Sequence, residues 1–259
     1  MTDLHERLAL VTGASAGIGA ATARALSAAG ARLILLARRR ERLEALAAEC
    51  PGARALEIDV RDAAAVRDAV GDEPLDIVVA NAGLALGVEP LQAGDPQEWS
   101  AVIDTNVKGV LNTLRAVLPG MIARGRGDVV TLGSVAGRQV YPGGAVYCAT
   151  KFAVRALYET MRLELSGKGL RLITVDPAMV ETDFSKVRFR GDERRAGEVY
   201  RGMTPLGPED VADAILYAVT RPPHVNVGEV VLWPTDQAST TVVHRRPGPS
   251  ASPPGRKTL

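Results

Sequence analysis

The sequence predicts a doubly wound α/β fold in which helices cover both faces of a seven-stranded parallel sheet. Short apolar runs alternate with amphipathic stretches along the chain, as repeated βαβ units require. Most of these runs are continuously apolar, as expected of strands that are covered on both faces. The length of 259 residues suits one large domain of this Rossmann type.

The elements can be assigned in chain order from these patterns. Runs of Leu, Ile, Val and Ala predict strands at residues 8–11, 33–36, 55–58, 77–80, 129–132, 171–175 and 229–232. Apolar residues at helical spacing predict helices at residues 17–29, 41–49, 63–70, 96–124, 145–166 and 208–220. Analogy with dinucleotide-binding folds suggests the strand order 3-2-1-4-5-6-7.

Two segments interrupt this alternation. Residues 183–207 are polar and rich in arginine, and they follow the carboxyl end of a strand, where open α/β sheets bind ligands. We expect a mobile substrate lid there, and a solvated surface excursion is the alternative. Residues 244–259 are polar and rich in proline, so a disordered tail is expected after a catalytic domain at 1–243.

The composition bounds the possible partners. Thirty-one basic and thirty acidic residues leave a net charge of +1, which gives no reason to expect nucleic acid or a membrane as a partner. There is no run of 18 apolar residues and no signal segment, and Cys50 and Cys148 suit a reducing compartment, so the cytoplasm is expected. The three histidines lack metal-ligand spacing, and we assign no metal.

A glycine-rich segment between the first strand and the first helix predicts a dinucleotide site. Gly13, Gly17 and Gly19 allow a sharp turn and a close approach of the backbone to a pyrophosphate. Ser15 and Ile18 of the same loop are included among the residues expected to bind the cofactor. Three glycines alone are equally compatible with simple turn chemistry.

The end of the second predicted strand bears on the choice between NAD and NADP. NAD-selective folds usually carry an acid there, whereas residues 36–40 of this chain read LARRR. Guanidinium groups bind a 2′-phosphate through charge-assisted hydrogen bonds, and Ser15 can add a hydroxyl donor. We therefore expect NADP, with Arg38 and Arg39 near its 2′-phosphate. The alternative is that these arginines merely decorate a helix start, which the helix dipole disfavours.

The third and fourth predicted strands also end in candidate cofactor residues. Asp59 and Val60 close the third strand, and Asn81 and Gly83 close the fourth, all on the ligand side of the sheet. Asp59 can accept a hydrogen bond from an adenine amino group, and the Asn81 segment can line the ribose. Each of them is also compatible with a helix cap or a turn.

Tyr147 and Lys151 are the candidate acid and its electrostatic partner. They lie four residues apart in a predicted helix, downstream of Ser134. That spacing places a phenol and an ammonium on one helix face, about 5–6 Å apart at Cβ. The cation should stabilise the phenolate, so the pKa of Tyr147 is expected below its ordinary value of about 10. A proton donor beside a hydride-carrying cofactor is typical of a carbonyl reductase.

The sequence resembles the short-chain dehydrogenases/reductases over about residues 8–243. The family motifs occur in the right order and spacing: TGASAGIG at 12–19, Asp59, NAG at 81–83, Asn106, Ser134 and YCATK at 147–151. Within the family, the chain is most similar to NADP-dependent 3-hydroxy acid dehydrogenases, also described as serine or allo-threonine dehydrogenases. That likeness rests on NAGLALGVEP at 81–90, DTNVKG at 104–109, AVLPGM at 116–121, FSKVRFRGD at 184–192 and PPHVNV at 222–227.

The resemblance implies a catalytic tetrad of Asn106, Ser134, Tyr147 and Lys151. Ser134 would polarise the substrate carbonyl, Tyr147 would exchange the proton, and Lys151 would also hold the nicotinamide ribose. Asn106 would hold a water that links Lys151 to solvent; an exposed or kinked helix position is the alternative reading. Tyr147 and Lys151 are thus both expected to contact the cofactor, and Ser134 and Tyr147 are expected to contact the substrate.

The family pattern also implies cofactor contacts by Pro177, Val180 and Thr182. This chain departs from the pattern at Ala178, where relatives usually carry glycine. If that glycine has a positive φ or admits the nicotinamide, Ala178 should strain or shift the loop.

Small 3-hydroxy acids or short polar alcohols are the expected substrates. A substrate carboxylate needs a cation, and the predicted lid offers Lys186, Arg188 and Arg190. We favour Arg188, because Val187 and Phe189 can anchor the lid around it; the alternative is that all three side chains point to solvent. Rival readings are a ketoreductase of fatty-acid or secondary-metabolite synthesis, a non-catalytic NADP sensor and a sugar epimerase. The intact reactive residues disfavour the sensor, and the chain has no room for the longer substrate domain of an epimerase.

A homotetramer is expected. The helical patterns at 96–124 and 145–166 are longer than the sheet requires, and the matching helices of relatives pair across a two-fold axis. The first pattern is apolar over a wide arc, which includes Val102, Val107, Val110, Leu111, Leu114, Val117 and Leu118.

Overall fold

The structure, a computed structural model, describes residues 3–247. Within that range, seven strands form one parallel sheet in the order β3-β2-β1-β4-β5-β6-β7, which confirms the predicted architecture. The strands are β1 (Leu8–Thr12), β2 (Arg32–Ala37), β3 (Arg54–Glu57), β4 (Ile77–Ala80), β5 (Gly127–Leu132), β6 (Leu170–Pro177) and β7 (Glu229–Leu232). Residues 248–259, most of the predicted tail, lie outside the described residues.

Helices cover both faces of this sheet. They are α1 (Gly17–Ala28), α2 (Arg40–Glu49), α3 (Ala63–Val70), α4 (Pro96–Ile103), α5 (Gly109–Arg124), α6 (Ala145–Glu164), α7 (Asp183–Arg188), α8 (Glu193–Glu198) and α9 (Pro208–Val219). Buried side chains of α1, α2 and α9 share one apolar core with the sheet. Those of α3, α5 and α6 share a second core on the opposite face.

The two cores explain why the strands are continuously apolar. Successive side chains of a strand point to opposite faces of the sheet. In β1, Leu10 packs in the core with α3, α5 and α6, whereas Val11 packs in the core with α1, α2 and α9. Ile34 and Leu35 of β2 divide in the same way, and all four are fully buried. A polar side chain at either position would be desolvated, so both must be apolar.

The long helix predicted at 96–124 is interrupted. Residues Asp104–Lys108 form a π-helical turn between α4 and α5. Asn106 lies in this turn and is almost fully buried. A π-helical turn inserts one residue into the helical register, which turns a side chain toward a direction that a regular helix would not allow. The prediction of one continuous helix is therefore wrong at Asn106, and asparagine is a poor helix former.

Two short helices occupy the segment predicted as a lid. Thr182 caps α7 by accepting a hydrogen bond from the backbone N–H of Phe184. Asp192 caps α8 by accepting one from the N–H of Arg195. The polar sequence did not indicate these helices, because each is too short to show an apolar period.

Ion pairs attach α7 to the domain on both sides. At its start, Asp183 accepts from Nη1 of Arg42 in α2 at 2.9 Å. Just beyond its end, Nε of Arg190 donates to Glu98 of α4 at 2.6 Å, and Nη1 donates to Glu89 at 3.0 Å. The segment therefore bridges the two sides of the sheet's carboxyl edge.

The described part of the predicted tail is bound to the domain. Arg245 donates to the carbonyl oxygen of Val199 at 3.0 Å, and Arg246 donates to the carboxylate of Asp236 at 2.6 Å. The backbone N–H of Arg246 also donates to the carbonyl of Gly202 at 2.7 Å. At residues 244–247 the structure therefore has a bound segment, whereas the sequence predicted disorder from residue 244. Over the described residues, no helix combines the length and apolar character needed to cross a membrane.

Candidate active site

One cleft runs along the carboxyl ends of the central strands. It is lined by most of the residues that the sequence nominated: Gly13, Ser15, Gly17, Ile18, Arg38, Arg39, Asp59, Val60, Asn81, Gly83, Ser134, Tyr147, Lys151, Pro177, Val180 and Thr182. Three nominated residues, Gly19, Asn106 and Arg188, do not line it. Among the described residues, no group of three or more His, Cys, Asp and Glu side chains could hold a metal ion.

The glycine loop is shaped by close backbone contacts. Gly13 and Gly17 have φ values of +68° and +52°, which side-chain-bearing residues rarely adopt. A Cβ on Gly19 would lie 2.5 Å from the carbonyl oxygen of Gly13. Gly19 therefore serves the packing of the loop and does not face the cleft. The amide of Asn81 holds the same loop by donating to the carbonyl of Thr12 at 2.8 Å.

Asp59 lies in the cleft but already has a partner. Its carboxylate accepts the backbone N–H of Arg61 at 3.0 Å and the Nε of the same residue at 2.9 Å. These bonds hold the pKa of Asp59 below its ordinary value. They are the turn contacts that the sequence left open as the alternative to an adenine contact. The carboxylate of Asp59 is therefore the group named in both interpretations.

Ser134, Tyr147 and Lys151 meet at the end of β5. The hydroxyl of Ser134 accepts the N–H of Ala136 at 3.1 Å, which fixes it at the start of a 3₁₀ turn. Tyr147 and Lys151 lie one turn apart on α6, and Nζ of Lys151 is 5.8 Å from the centre of the Tyr147 ring. Nζ donates to the carbonyl oxygen of Leu132 at 2.8 Å. The helical spacing therefore brings these groups together as expected.

The protonation of these two side chains is set mainly by burial. Burial raises the pKa of Tyr147, and the neighbouring phenol of Tyr141 adds to the rise, whereas the Ser134 hydroxyl and the Arg188 cation oppose it. Burial also lowers the pKa of Lys151 from 10.5 to about 8, against the opposing effect of Asp176. The expected lowering of the Tyr147 pKa by Lys151 is thus wrong for this structure, because desolvation outweighs every neighbouring charge.

Asn106 joins three segments of the site. Its Oδ1 accepts the N–H of Leu84 at 2.8 Å, and its Nδ2 donates to the carbonyl of Leu84 at 2.8 Å and to Oγ1 of Thr150 at 3.1 Å. Oγ1 of Thr150 donates in turn to the carbonyl of Tyr147 at 2.7 Å. The side chain is buried, and these bonds fix the segment after β4 to α6. Thr150 carried no signal in the sequence that linked it to Asn106.

Ala178 causes no backbone strain. Glu6 and Arg190 are the non-glycine residues with positive φ among residues 3–247, so Ala178 has an ordinary conformation. Its N–H donates to the carbonyl of Leu232 at 2.8 Å, which continues the pairing of β6 with β7. The strain expected from the replacement of glycine is therefore absent from this loop.

The three candidate lid cations have different surroundings. Lys186 pairs with Glu193 at 3.1 Å, and Arg190 pairs with two glutamates as described above. Arg188 has no carboxylate partner within residues 3–247. Its Nε donates to the carbonyl of Gly87 at 3.2 Å, and its guanidinium lies 5.3 Å from the Tyr141 ring and 5.8 Å from the Tyr147 ring.

A small pocket beside the cleft contains Arg188 and Tyr147 together. Gly87, Glu89, Trp99 and Gly144 are among its other lining residues. On the cleft side, the Phe184 ring meets the Tyr147 ring edge-on, with centroids 5.5 Å apart. Tyr141 and Phe184 were not predicted as site residues, because neither has a fixed spacing from the reactive residues.

Comparisons with known proteins show the family of this chain. The family pattern described as short chain dehydrogenase matches residues 7–193. The chain belongs to this family. It is 42% identical over 247 residues to the NADP-dependent 3-hydroxy acid dehydrogenase YdfG of Salmonella typhi, covering 92% of this chain and 99% of the relative. It is 44% identical over 240 residues to sulfoacetaldehyde reductase 2 of Chromohalobacter salexigens, covering 89% of this chain and 95% of the relative.

A solved structure supports the same assignment for this short-chain dehydrogenase. The closed form of serine dehydrogenase complexed with NADP+ superposes with a TM-score of 0.88 at 39% identity, covering 92% of this chain and all of that one. The protein is therefore an NADP-dependent short-chain dehydrogenase that acts on hydroxyl groups, as the sequence predicted.

The arginines of this short-chain dehydrogenase fit an NADP phosphate. At the end of β2, Nε and Nη2 of Arg39 donate to the Ser15 hydroxyl at 3.1 and 2.9 Å. Arg40 is engaged by Glu57 at 2.7 Å, whereas Arg38 has no ion-pair partner in the described part of the chain. The Ser15 hydroxyl and the guanidinium groups of Arg38 and Arg39, which form no ion pair within residues 3–247, are a donor set suited to a dianionic 2′-phosphate.

Proposed function

We propose that this short-chain dehydrogenase interconverts a small 3-hydroxy acid, or a short polar alcohol, and its carbonyl form. The observation that carries the proposal is Arg188, a cation without a carboxylate partner in the described residues, 5.8 Å from the Tyr147 ring. The names of two relatives, a 3-hydroxy acid dehydrogenase and a sulfoacetaldehyde reductase, both denote small substrates with an anionic group. A free guanidinium beside the acid suits such substrates.

The proton chemistry is assigned to Tyr147. In reduction, the phenol donates its proton to the carbonyl oxygen as that oxygen gains negative charge, and in oxidation the phenolate takes the proton back. Bound NADPH supplies the hydride. Ser134, fixed by its bond to Ala136, hydrogen-bonds the same oxygen and polarises the carbonyl. The raised pKa of Tyr147 keeps it protonated at neutral pH, which suits a proton donor.

Arg188 is assigned to the substrate anion. Its planar fork can bind a carboxylate in two places and so fix which carbon faces the cofactor. The contact with Gly87 and the stacking on Tyr141 hold the guanidinium in one orientation. A binding group that is already ordered loses less entropy when the substrate arrives.

The matched pair 3-hydroxybutyrate and 2-butanol tests this function, because they differ by a carboxylate in place of a methyl group. Arg188→Ala should raise KM for 3-hydroxybutyrate roughly tenfold to hundredfold, the loss expected for a charge-assisted hydrogen bond. KM for 2-butanol should change little. Arg194→Ala, which removes an exposed arginine from the same segment, is the matched control.

Two results would change the assignment. Equal effects of Arg188→Ala on both substrates would mean that Arg188 does not read the carboxylate. Turnover confined to bulky or thioester substrates would favour the rival ketoreductase of fatty-acid or secondary-metabolite synthesis.

We further propose that the protein works as a homotetramer in the cytoplasm. Ile103 of α4, Leu111 of α5 and Phe152 of α6 are each more than 40% exposed, although they lie on helices that pack on the domain. Apolar side chains on neighbouring helices favour a partner subunit over this face. Both cysteines are free, in keeping with a reducing compartment.

A further inference from the structure

Two cations flank the ring of Tyr147. Nζ of Lys151 and the guanidinium carbon of Arg188 are each 5.8 Å from its centroid. They reach the ring from different elements, because Lys151 belongs to the same helix and Arg188 lies at the end of α7. The sequence separates Arg188 from Tyr147 by a whole strand and loop, so only the tertiary fold creates this second contact.

The groups around the phenol can be named element by element. Lys151 and the thiol of Cys148 come from α6, Ser134 from the turn after β5, and Tyr141 from the loop before α6. From α7 come Arg188 and the apolar ring of Phe184. Within residues 3–247, the groups around this phenol that can carry positive charge are Lys151 and Arg188.

The two cations differ in how constant their charge is. Burial lowers the pKa of Lys151 to about 8, so its charge is lost as the pH rises through that value. An arginine stays charged at every pH at which a protein is folded. Arg188 also lacks a carboxylate within the described residues to neutralise it, and it acts to lower the pKa of Tyr147. Its influence on the phenol is therefore the more constant of the two.

We propose that Arg188 is a positioning residue for catalysis itself, which stabilises the phenolate form of Tyr147 and so lowers the pH at which oxidation begins. The proposal rests on the proposed role of Tyr147 as acid and base. In oxidation, the alcohol O–H bond breaks and its proton joins the phenolate oxygen. The carbon that bears this hydroxyl gives up its hydride to NADP+. Arg188 favours the state of Tyr147 that is ready to accept that proton.

A second consequence concerns anionic substrates. A carboxylate bound to Arg188 neutralises part of its charge, so the phenolate is less stabilised in that complex. In the wild type, oxidation of bound 3-hydroxybutyrate should therefore need a higher pH than oxidation of bound 2-butanol. This difference should disappear when residue 188 carries no charge.

The test is the pH dependence of 2-butanol oxidation by Arg188→Gln, Arg188→Lys and the control Arg194→Gln. We expect the midpoint of kcat/KM to rise by roughly one pH unit in Arg188→Gln, the low end of the effect of an opposite charge within about 4–6 Å. At a pH below the midpoint, kcat/KM should then be about tenfold lower than in the wild type. Arg188→Lys and Arg194→Gln should keep the wild-type midpoint.

A second measurement does not depend on turnover. Tyrosinate absorbance of the NADP+-loaded protein is titrated, with Tyr147→Phe as the blank. The Tyr147 signal should rise at higher pH in Arg188→Gln than in the wild type. An unchanged midpoint in both measurements would overturn the proposal.

The outcomes separate this inference from the proposed function. If Arg188→Gln raises KM for 3-hydroxybutyrate but moves neither midpoint, carboxylate recognition stands and the electrostatic role is overturned. If the midpoint moves while KM for 3-hydroxybutyrate is unchanged, the electrostatic role stands and carboxylate recognition fails. Full activity of Tyr147→Phe would remove the premise that both share.

Discussion

The buried, protonated side chain of Lys151 should lower the free energy of unfolding of the protein. Its side chain is 7% exposed, and burial lowers its pKa from 10.5 to about 8. Each pH unit of such a change is worth about 1.4 kcal/mol, so the protonated lysine should destabilise the folded state by about 3 kcal/mol. Lys151→Met removes the charge and keeps most of the apolar stem.

The pH window follows from the direction of the change. Below about 8 the folded and the unfolded wild type both bind the proton, and the full penalty is present. Between 8 and 10.5 the folded state has released the proton while the unfolded state keeps it, so wild-type stability rises with pH. Above 10.5 the charge penalty is gone. The variant's advantage should therefore be largest below 8 and should vanish as the pH rises.

The hydrogen bond that Lys151→Met removes offsets part of the stability gained by removing the charge. Nζ donates to the carbonyl of Leu132, and removing that bond costs about 1 kcal/mol. Lys151→Met should thus be about 2 kcal/mol more stable than the wild type below pH 8 and slightly less stable near pH 10.5. For a chain of this size, the gain corresponds to a rise in Tm of roughly 4–8 °C.

Thermal unfolding of the cofactor-free protein at two pH values measures this crossing. Lys151→Gln serves as a control that also lacks the charge but keeps a donor for Leu132. A Lys151→Met variant that is equally destabilised at both pH values would refute the reasoning, because the lysine would then carry no charge penalty.

Three further predictions concern the site and the assembly. Tyr147→Phe should abolish turnover and leave NADPH binding within about twofold, since it removes one proton and keeps the ring; titration of NADPH fluorescence together with steady-state rates checks this. Arg38→Asp should weaken NADPH binding roughly tenfold or more and improve NADH relative to it, because an acid repels the 2′-phosphate; equal losses for both cofactors would place Arg38 outside the phosphate site. Light scattering at micromolar protein should give the mass of a tetramer, and Phe152→Asp should lower it if α6 is an interface; a monomeric wild type would exclude the assembly.

The sequence was a sufficient guide to the fold because its signals are periodic and local. Apolar runs such as the one in β4 are buried on both faces and therefore lack alternation, and this pattern predicted the parallel sheet. The strand order came from analogy with dinucleotide-binding folds. Gly13 and Gly17 could be nominated for the same reason, since positive φ is a local requirement that glycine meets. The pairing of Tyr147 with Lys151 needed only the pitch of one helix.

Other features depend on residues that are distant in the chain. The sequence indicated a helix through Asn106, but the buried bonds of that residue to Leu84 and Thr150 accompany a π-helical turn. The sequence predicted that Asp59 lies on the ligand side of the sheet. It could not show whether the carboxylate pairs with Arg61 or is free to contact a cofactor. In both cases several groups compete to bond one polar side chain, and the spacing of residues in the sequence does not show which group is bound.

The sequence by itself determined the fold and the cofactor and predicted Ser134, Tyr147 and Lys151 as the reactive side chains, because strand burial, turn conformation and helical spacing are properties of short segments. Only the tertiary structure decided which lid cation faces the acid: Lys186 and Arg190 find carboxylates, and Arg188 finds the Tyr147 ring. It also decided the pKa values, which the spacing of Tyr147 and Lys151 misjudged. The physical reason is that desolvation and through-space charge depend on everything packed around a group, and most of that packing comes from distant parts of the chain.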